Sequence, residues 1–160
     1  MKLSENFNLD EFTRSDKAKE LGIENVPEPE HVEALSALVK NVLQPLRDFL
    51  GESIVINSGY RSPEVNAATK GSSATSQHCK GEAADFITVG YPMKDMFLHI
   101  MHTLPYDQLI WEFGGKWVHV SYTAKGQNRK QALESHYVRG KVTYMPYNGG
   151  DGLKKNLNLA

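Results

Sequence analysis

Ser76-Gln77-His78-Cys79-Lys80-Gly81-Glu82-Ala83-Ala84-Asp85 sets a histidine and an aspartate seven positions apart, with one glycine and two small alanines between them. Gly81 permits a tight or left-handed turn after His78. The residues that follow, Ala83-Ala84-Asp85-Phe86-Ile87-Thr88-Val89, read as a strand. A loop histidine and an early strand aspartate can then project from one side of a sheet. Period-two alternation puts Ala83 on the face of Asp85, where its small side chain leaves room. Taken alone, such a pair is ordinarily a loop histidine and a surface carboxylate. A second histidine in Trp117-Val118-His119-Val120-Ser121 changes that reading. Two imidazoles and one carboxylate are the donor set of a three-ligand zinc site whose fourth position stays open to water.

Downstream, Leu109-Ile110-Trp111-Glu112-Phe113-Gly114-Gly115-Lys116-Trp117-Val118-His119-Val120 reads as a β-hairpin reversed at a two-residue Gly114-Gly115 turn. In that register Phe113 faces Lys116, Glu112 faces Trp117 and Ile110 faces His119. One face then carries Gln108, Ile110, Glu112, Trp117, His119 and Ser121. The other carries Leu109, Trp111, Phe113, Val118 and Val120, the more apolar set and the expected core face. Glu112 becomes a diagonal neighbour of His119, with backbones ~7–8 Å apart. Its carboxylate could reach a water at the metal, which makes it a candidate general base; the competing reading is a solvated hairpin carboxylate. Glu82 is a weaker candidate, having the opposite parity to Asp85.

Upstream, Ser53-Ile54-Val55-Ile56-Asn57-Ser58 is strand-like, and Gly59-Tyr60-Arg61 leaves its end. Ser62-Pro63-Glu64 is a capped helix start, with proline at the first helical position, for a helix running to about Thr69. Gly71 to Ser76 is a small-residue loop without a phosphate-loop pattern. Arg61 sits at a strand end, one short helix before the metal loop. Its guanidinium fork suits a substrate carboxylate, against the bland reading of a solvated surface group. Cys79 reads as a small loop residue, because adjacent residues seldom point at one metal.

In combination, Ser76-x-His78-x-x-Gly81-x-Ala83-x-Asp85, the distant Trp117-x-His119 and the upstream Ser58-Gly59-Tyr60-Arg61-Ser62 resemble the signature of the zinc D-Ala-D-Ala carboxypeptidase and L-alanyl-D-glutamate endolysin family of metallopeptidases. The resemblance covers about Ser53 to Tyr122. It implies one Zn2+ per chain held by His78, Asp85 and His119, a substrate-facing Arg61, and peptidoglycan peptides as the partner. Ser76 or Gln77 would position substrate or a ligand. Some family members place an acid three residues before the last histidine. Here that position is Lys116, which turns attention to Glu112 as the base. The resemblance extends to signalling domains with the hedgehog-like zinc fold, which keep the geometry as binding modules. A zinc-stabilised, inactive binding or virion structural module is therefore the second expectation.

The rest of the chain supplies scaffold. Asn8 with Glu11 resembles a capping box, and Ser15 can cap a short helix that Gly22 ends. After the Val26-Pro27-Glu28-Pro29 linker, Val32, Leu35, Leu38, Val39, Val42, Leu43, Leu46, Phe49 and Leu50 form an apolar stripe at helical period. Pro45 should kink or divide that helix, and Gly51 should end it. Pro92 opens another, with Met96, Phe97, Ile100, Met101 and Leu104 as its buried stripe. His99 and His102 lie off that stripe, and they and His136 read as surface residues. Tyr137 to Tyr144 reads as a terminal strand or hairpin, and the residues from Gly149 onward as a loose tail.

These elements predict an α+β fold, with N-terminal helices packed on a small, mostly antiparallel sheet that carries the zinc site. The expected organisation is one domain over residues 1–160: a helical part at 1–52, a metal-site core at 53–122, and C-terminal strands with a tail at 123–160. A net charge of -1 gives no reason to expect nucleic acid, and no apolar run is long enough to span a bilayer. The chain is expected to be a monomer, with a single cysteine and so no internal disulfide. Met1-Lys2 leads into a polar stretch without a signal-peptide core. Cytoplasmic synthesis is expected, with release to the cell wall by phage lysis or carriage on a virion.

Overall fold

The computed structural model describes residues 1–150. Six strands form one sheet in the order β1-β2-β4-β3-β5-β6: β1 Ile54–Ser58, β2 Ala83–Thr88, β3 Gln108–Glu112, β4 Trp117–Ser121, β5 Gln131–Val138 and β6 Lys141–Pro146. All neighbours are antiparallel except β3 and β5, which run parallel. The helices are α1 Leu9–Thr13, α2 Asp16–Leu21, α3 Pro29–Leu38, α4 Gln44–Leu50, α5 Pro63–Ala68 and α6 Met93–Thr103. The α+β expectation holds. The last expected element is a hairpin, β5–β6, and the expected tail beyond Gly150 lies outside the described residues.

One sheet face packs on helices. Leu35, Leu38, Val42, Leu43 and Leu46 are buried against Ile56, Phe86, Leu109, Val118 and Val120, with Phe12 and α6 residues Met96, Phe97 and Ile100 closing the core. Each fully buried Leu, Ile or Phe contributes about 1.5–3 kcal/mol through removal from water. This layer is therefore the main energetic reason that the strands keep their register, and register decides which residues reach the opposite face.

Pro45 divides the long helix by a specific device. A proline has no N–H to donate to the carbonyl four residues back, and its ring crowds that carbonyl. The chain answers with a π-helical turn over Val39–Leu43, in which the Gln44 N–H donates to the Val39 carbonyl. The inserted residue rotates the apolar stripe. Leu46 and Leu50 stay inside, whereas Phe49, expected on the stripe, is 53% exposed. It lies flat on His99 instead, with ring centroids 3.5 Å apart. His99 is thus covered, and half-buried His136 pairs with buried Glu134 at 3.2 Å, so neither is a free surface imidazole.

The β3–β4 reversal also departs from expectation. The register is as read, with Glu112 opposite Trp117 and Ile110 opposite His119. The connection, however, is a four-residue loop from Phe113 to Lys116, not a Gly-Gly turn. The Glu112 carbonyl accepts from both the Gly115 and Lys116 N–H groups at 3.0 Å. The Trp111 indole fills the space beneath the loop: a Cβ on Gly115 would lie 2.3 Å from it. Phe113 takes φ +47 and leaves the core face. Its ring stacks on Tyr137 at 4.6 Å and tilts against Trp117 at 5.4 Å.

Gly81 ends a 3-10 turn, Gln77–Lys80, in the left-handed conformation at φ +71. A Cβ there would sit 2.4 Å from the His31 carbonyl oxygen, a backbone atom at the head of α3. Gly81→Ala therefore combines about 1–2 kcal/mol of left-handed strain with about 1–3 kcal/mol of overpacking. Denaturant unfolding is expected to show a loss of about 2 kcal/mol or more. An unchanged midpoint would mean that the loop moves freely away from α3.

Candidate metal centre

The sheet face opposite the core carries Asp85 on β2 and His119 on β4, which are direct cross-strand partners. The 3-10 turn brings His78 over them. Ser76 caps this turn, its Oγ accepting from the His78 N–H at 3.3 Å. Gln77 is held from behind, its Nε2 donating to Asp107 Oδ2 at 2.9 Å. Asp107 in turn accepts from Arg129 at Nε (2.9 Å), at a terminal guanidinium nitrogen (2.7 Å) and at the backbone N–H (2.9 Å). The turn is thus capped at its start, tied through its first side chain and closed by Gly81.

Three donor atoms converge. His78 Nε2 lies 3.3 Å from His119 Nδ1 and 3.3 Å from Asp85 Oδ2, and His119 Nδ1 lies 2.9 Å from Asp85 Oδ1. Metal–ligand bonds of ~2.0–2.2 Å in a tetrahedral shell put donor atoms roughly 3.3 Å apart. The spacing fits one ion, and among the described residues this trio could hold a metal. The orientation fits as well. His78 Nδ1–H donates to the Gly59 carbonyl at 2.6 Å, which fixes the tautomer and leaves the Nε2 lone pair facing the other two ligands.

The protonation states suit a cation. Burial pushes His78 below the ordinary imidazole pKa, against the pull of Asp85, and keeps the ring neutral. Burial alone would raise Asp85, but the neighbouring imidazoles of His78 and His119 outweigh it. The carboxyl is held well below the usual carboxylate range. A neutral imidazole and an ionised carboxylate are the forms that bind metal.

Glu112 stands at the end of β3 on the same face, 6% exposed. Its Oε2 accepts from the Ser135 hydroxyl, whose oxygen accepts from the Phe113 N–H at 3.2 Å. Burial raises the Glu112 pKa and the Asp85 charge adds to this, while Ser135 and His119 pull the other way. Lys116 is an exposed residue of the β3–β4 loop. Arg61 follows β1; its backbone N–H donates to the His78 carbonyl at 3.2 Å, and its Nε is buried without a hydrogen-bond partner among the described residues. Its charge is felt by both His78 and Cys79, whose thiol is raised by burial. The structure therefore gathers His78, Asp85, His119, Glu112 and Arg61 around one centre, and commits Ser76 and Gln77 to holding the His78 turn.

Gly59, Asp107 and Ser135 escaped the sequence reading. The Gly59 contribution is a carbonyl oxygen, which every residue has. Asp107 and Ser135 act through partners distant in sequence, and nothing local marks them.

Residues 5–121, well over half of the chain, match the family model described as Peptidase M15. No curated protein matches the chain significantly.

Asp107 generates a pH prediction. The hydrogen bonds from Arg129 outweigh burial and hold its pKa at about 2, below the ordinary 3.8. A carboxyl depressed on folding stabilises fully above its unfolded pKa and loses that contribution as pH falls through the folded value. The window is pH 4 to 2. Asp107→Asn is expected to cost about 1.5–3 kcal/mol at neutral pH, the range for hydrogen bonds to a charged group. Denaturation midpoints of the two proteins should converge as pH drops from 4 to 2. Parallel midpoints across that window would show that Asp107 is not the titrating group.

Proposed function

The chain belongs to the peptidase M15 family of metallopeptidases, and we propose on that footing that it is a zinc-dependent hydrolase of peptidoglycan stem peptides, released to or carried to the cell wall. The observation that carries this reading is the trio of His78, Asp85 and His119, whose spacing suits one divalent ion, with the buried carboxyl of Glu112 on the same face. Histidine and carboxylate donors suit zinc at a site with a position left open.

His78, Asp85 and His119 would hold the metal, which would supply Lewis acidity for polarising an amide carbonyl and acidifying a water. Glu112 is the general base. Ser135 engages Oε2, which leaves Oε1 to take the proton from water as its oxygen adds to the carbonyl carbon. The same carboxyl then gives the proton to the departing amine as the C–N bond breaks. The raised pKa assists both steps, since it moves the group towards neutral pH. Arg61 anchors a substrate carboxylate through its fork, consistent with the unpartnered Nε at the site. Ser76 and Gln77 hold His78 in place.

Two bonds fit this site: the D-Ala-D-Ala bond, with its terminal carboxylate on Arg61, and the L-Ala-D-Glu bond, with the glutamate carboxylate there. Mass spectrometry of sacculi and soluble wall peptides incubated with zinc-loaded protein tests the reading and names the bond. His78→Ala is expected to lose both metal and product. No product from folded, metal-loaded wild type on either substrate would return the chain to the binding-module alternative.

Glu112→Gln is expected to retain stoichiometric metal and KM while kcat falls about 10²–10⁴-fold, the range for removing a general base. A kcat within threefold of wild type would remove Glu112 from the mechanism and leave the metal assignment standing.

A further inference from the structure

The family match ends at residue 121, and the hairpin β5–β6 lies beyond it. This hairpin nevertheless reaches the metal centre. Glu112 pairs with Ser135 across β3 and β5, and Ser135 pairs with Tyr144 across β5 and β6. Cross-strand partners share a face, so Tyr144 stands on the site face in line with Glu112. It is 49% exposed.

The surroundings of the Tyr144 hydroxyl show how far it reaches. Burial raises its pKa first, the charges of Glu112 and Asp85 raise it further, and Arg61 lowers it. Arg61 follows β1, at one edge of the sheet, and Tyr144 belongs to β6, at the other. Six strands laid flat would separate those edges by about 24 Å at ~4.8 Å per strand. Charges that far apart are largely screened. The Tyr144 hydroxyl instead lies within electrostatic reach of Glu112, Asp85 and Arg61, on the sheet face that carries Asp85 and Glu112. Along the sheet between β1 and β6 lie Asp85, His119 and Glu112.

On the peptidase reading, on which this inference rests, a peptide bound on that face presents its scissile carbonyl to the groups that line it. We propose that Tyr144 is a catalytic residue of this reaction: its phenol donates a hydrogen bond to the scissile carbonyl oxygen and strengthens that bond as negative charge develops there. A phenol suits the task. It is neutral, it keeps its proton at neutral pH, and the nearby carboxylates make it keep that proton more firmly. Arg61 stays with the substrate carboxylate, and Glu112 handles the proton of the water. Tyr144 forms no bond and transfers no proton; its hydrogen bond tightens in the transition state and relaxes when the amine leaves.

Tyr144→Phe tests this, since it keeps the ring and removes only the hydroxyl. Full-length, zinc-loaded wild type, Tyr144→Phe and Tyr144→Ala are compared on whichever of the two wall peptides the wild type cleaves. Affinity is also measured for a phosphinate analogue of that peptide, whose tetrahedral oxygens imitate the attacked carbonyl. Removing one such donor typically costs 10²–10³-fold in kcat; at a half-exposed position about 10–10²-fold is expected, with KM within twofold and metal content unchanged. Phosphinate affinity should fall by a similar factor while product affinity holds. Tyr144→Ala should match Tyr144→Phe in kcat. Wild-type rates in Tyr144→Phe, a change in KM alone, or a defect confined to Tyr144→Ala would each overturn the proposal and leave the peptidase reading intact. No turnover by wild type would overturn both.

Discussion

The hydrogen bond from His78 Nδ1 to the Gly59 carbonyl is the constraint on which the centre depends. It is one half of a reciprocal clamp, since the Arg61 N–H donates to the His78 carbonyl. Gly59 in turn lies so close to Phe12 that a Cβ would meet the Phe12 carbonyl oxygen at 2.6 Å, and the Tyr60 N–H donates to that same oxygen at 2.7 Å. The Asn25 side chain donates to the Thr13 and Tyr60 carbonyls and accepts from the Ser62 N–H. The short N-terminal helices are thereby wired to the metal loop. Their contribution to function is to hold a carbonyl in place, because the position of that carbonyl decides which nitrogen of His78 is available. Convergent lone pairs and a buried carboxylate repel one another unless a cation sits between them. A loop that could relax would relax, so the scaffold has to hold it.

Three carboxyls near the centre show how environment divides labour among identical groups. Asp85 is held ionised by imidazoles. Asp107 is held ionised by Arg129 and serves as an anchor for Gln77. Glu112, among the described residues, accepts from a neutral hydroxyl alone, is buried, and is pushed towards the protonated form. The first can bind a cation, the second can only hold structure, and the third is the one whose proton can move.

What was legible in the sequence follows from which constraints are local. Gly81 and the cap at Ser76 could be read because turn chemistry lies within a few residues. The convergence of His78, Asp85 and His119 was legible because strand parity and a distinctive donor set point the same way. The placement of Glu112 beside His119 survived an incorrect turn. Register fixed Glu112 opposite Trp117 whether the loop had two residues or four, whereas Phe113 sat inside the loop and was misplaced. Phe49 was misplaced because the response of a helix to Pro45 can be a kink or a π turn, and the two rotate the following stripe differently. Ser135, Asp107 and Tyr144 depend on pairings across the sheet. The parallel partnership of β3 and β5 has no short turn to announce it.

That parallel pairing has a consequence for how the chain departs from its family. Lys116 is an exposed loop residue at the position where the resemblance would put an acid. Glu112 can stand in for that acid only if it is drawn out of water, and the group that covers it, Ser135, comes from a strand outside the family match. The Ser135 hydroxyl accepts from the Phe113 N–H, so its proton is directed to Glu112 Oε2. The burial of Glu112 at the end of β3 therefore depends on the hairpin that pairs with that strand. Without β5, Glu112 would be the solvated edge carboxylate of the bland reading. With β5, it is buried and hydrogen-bonded by Ser135, its pKa is raised, and the strand that buries it carries β6, which sets Tyr144 on the same face.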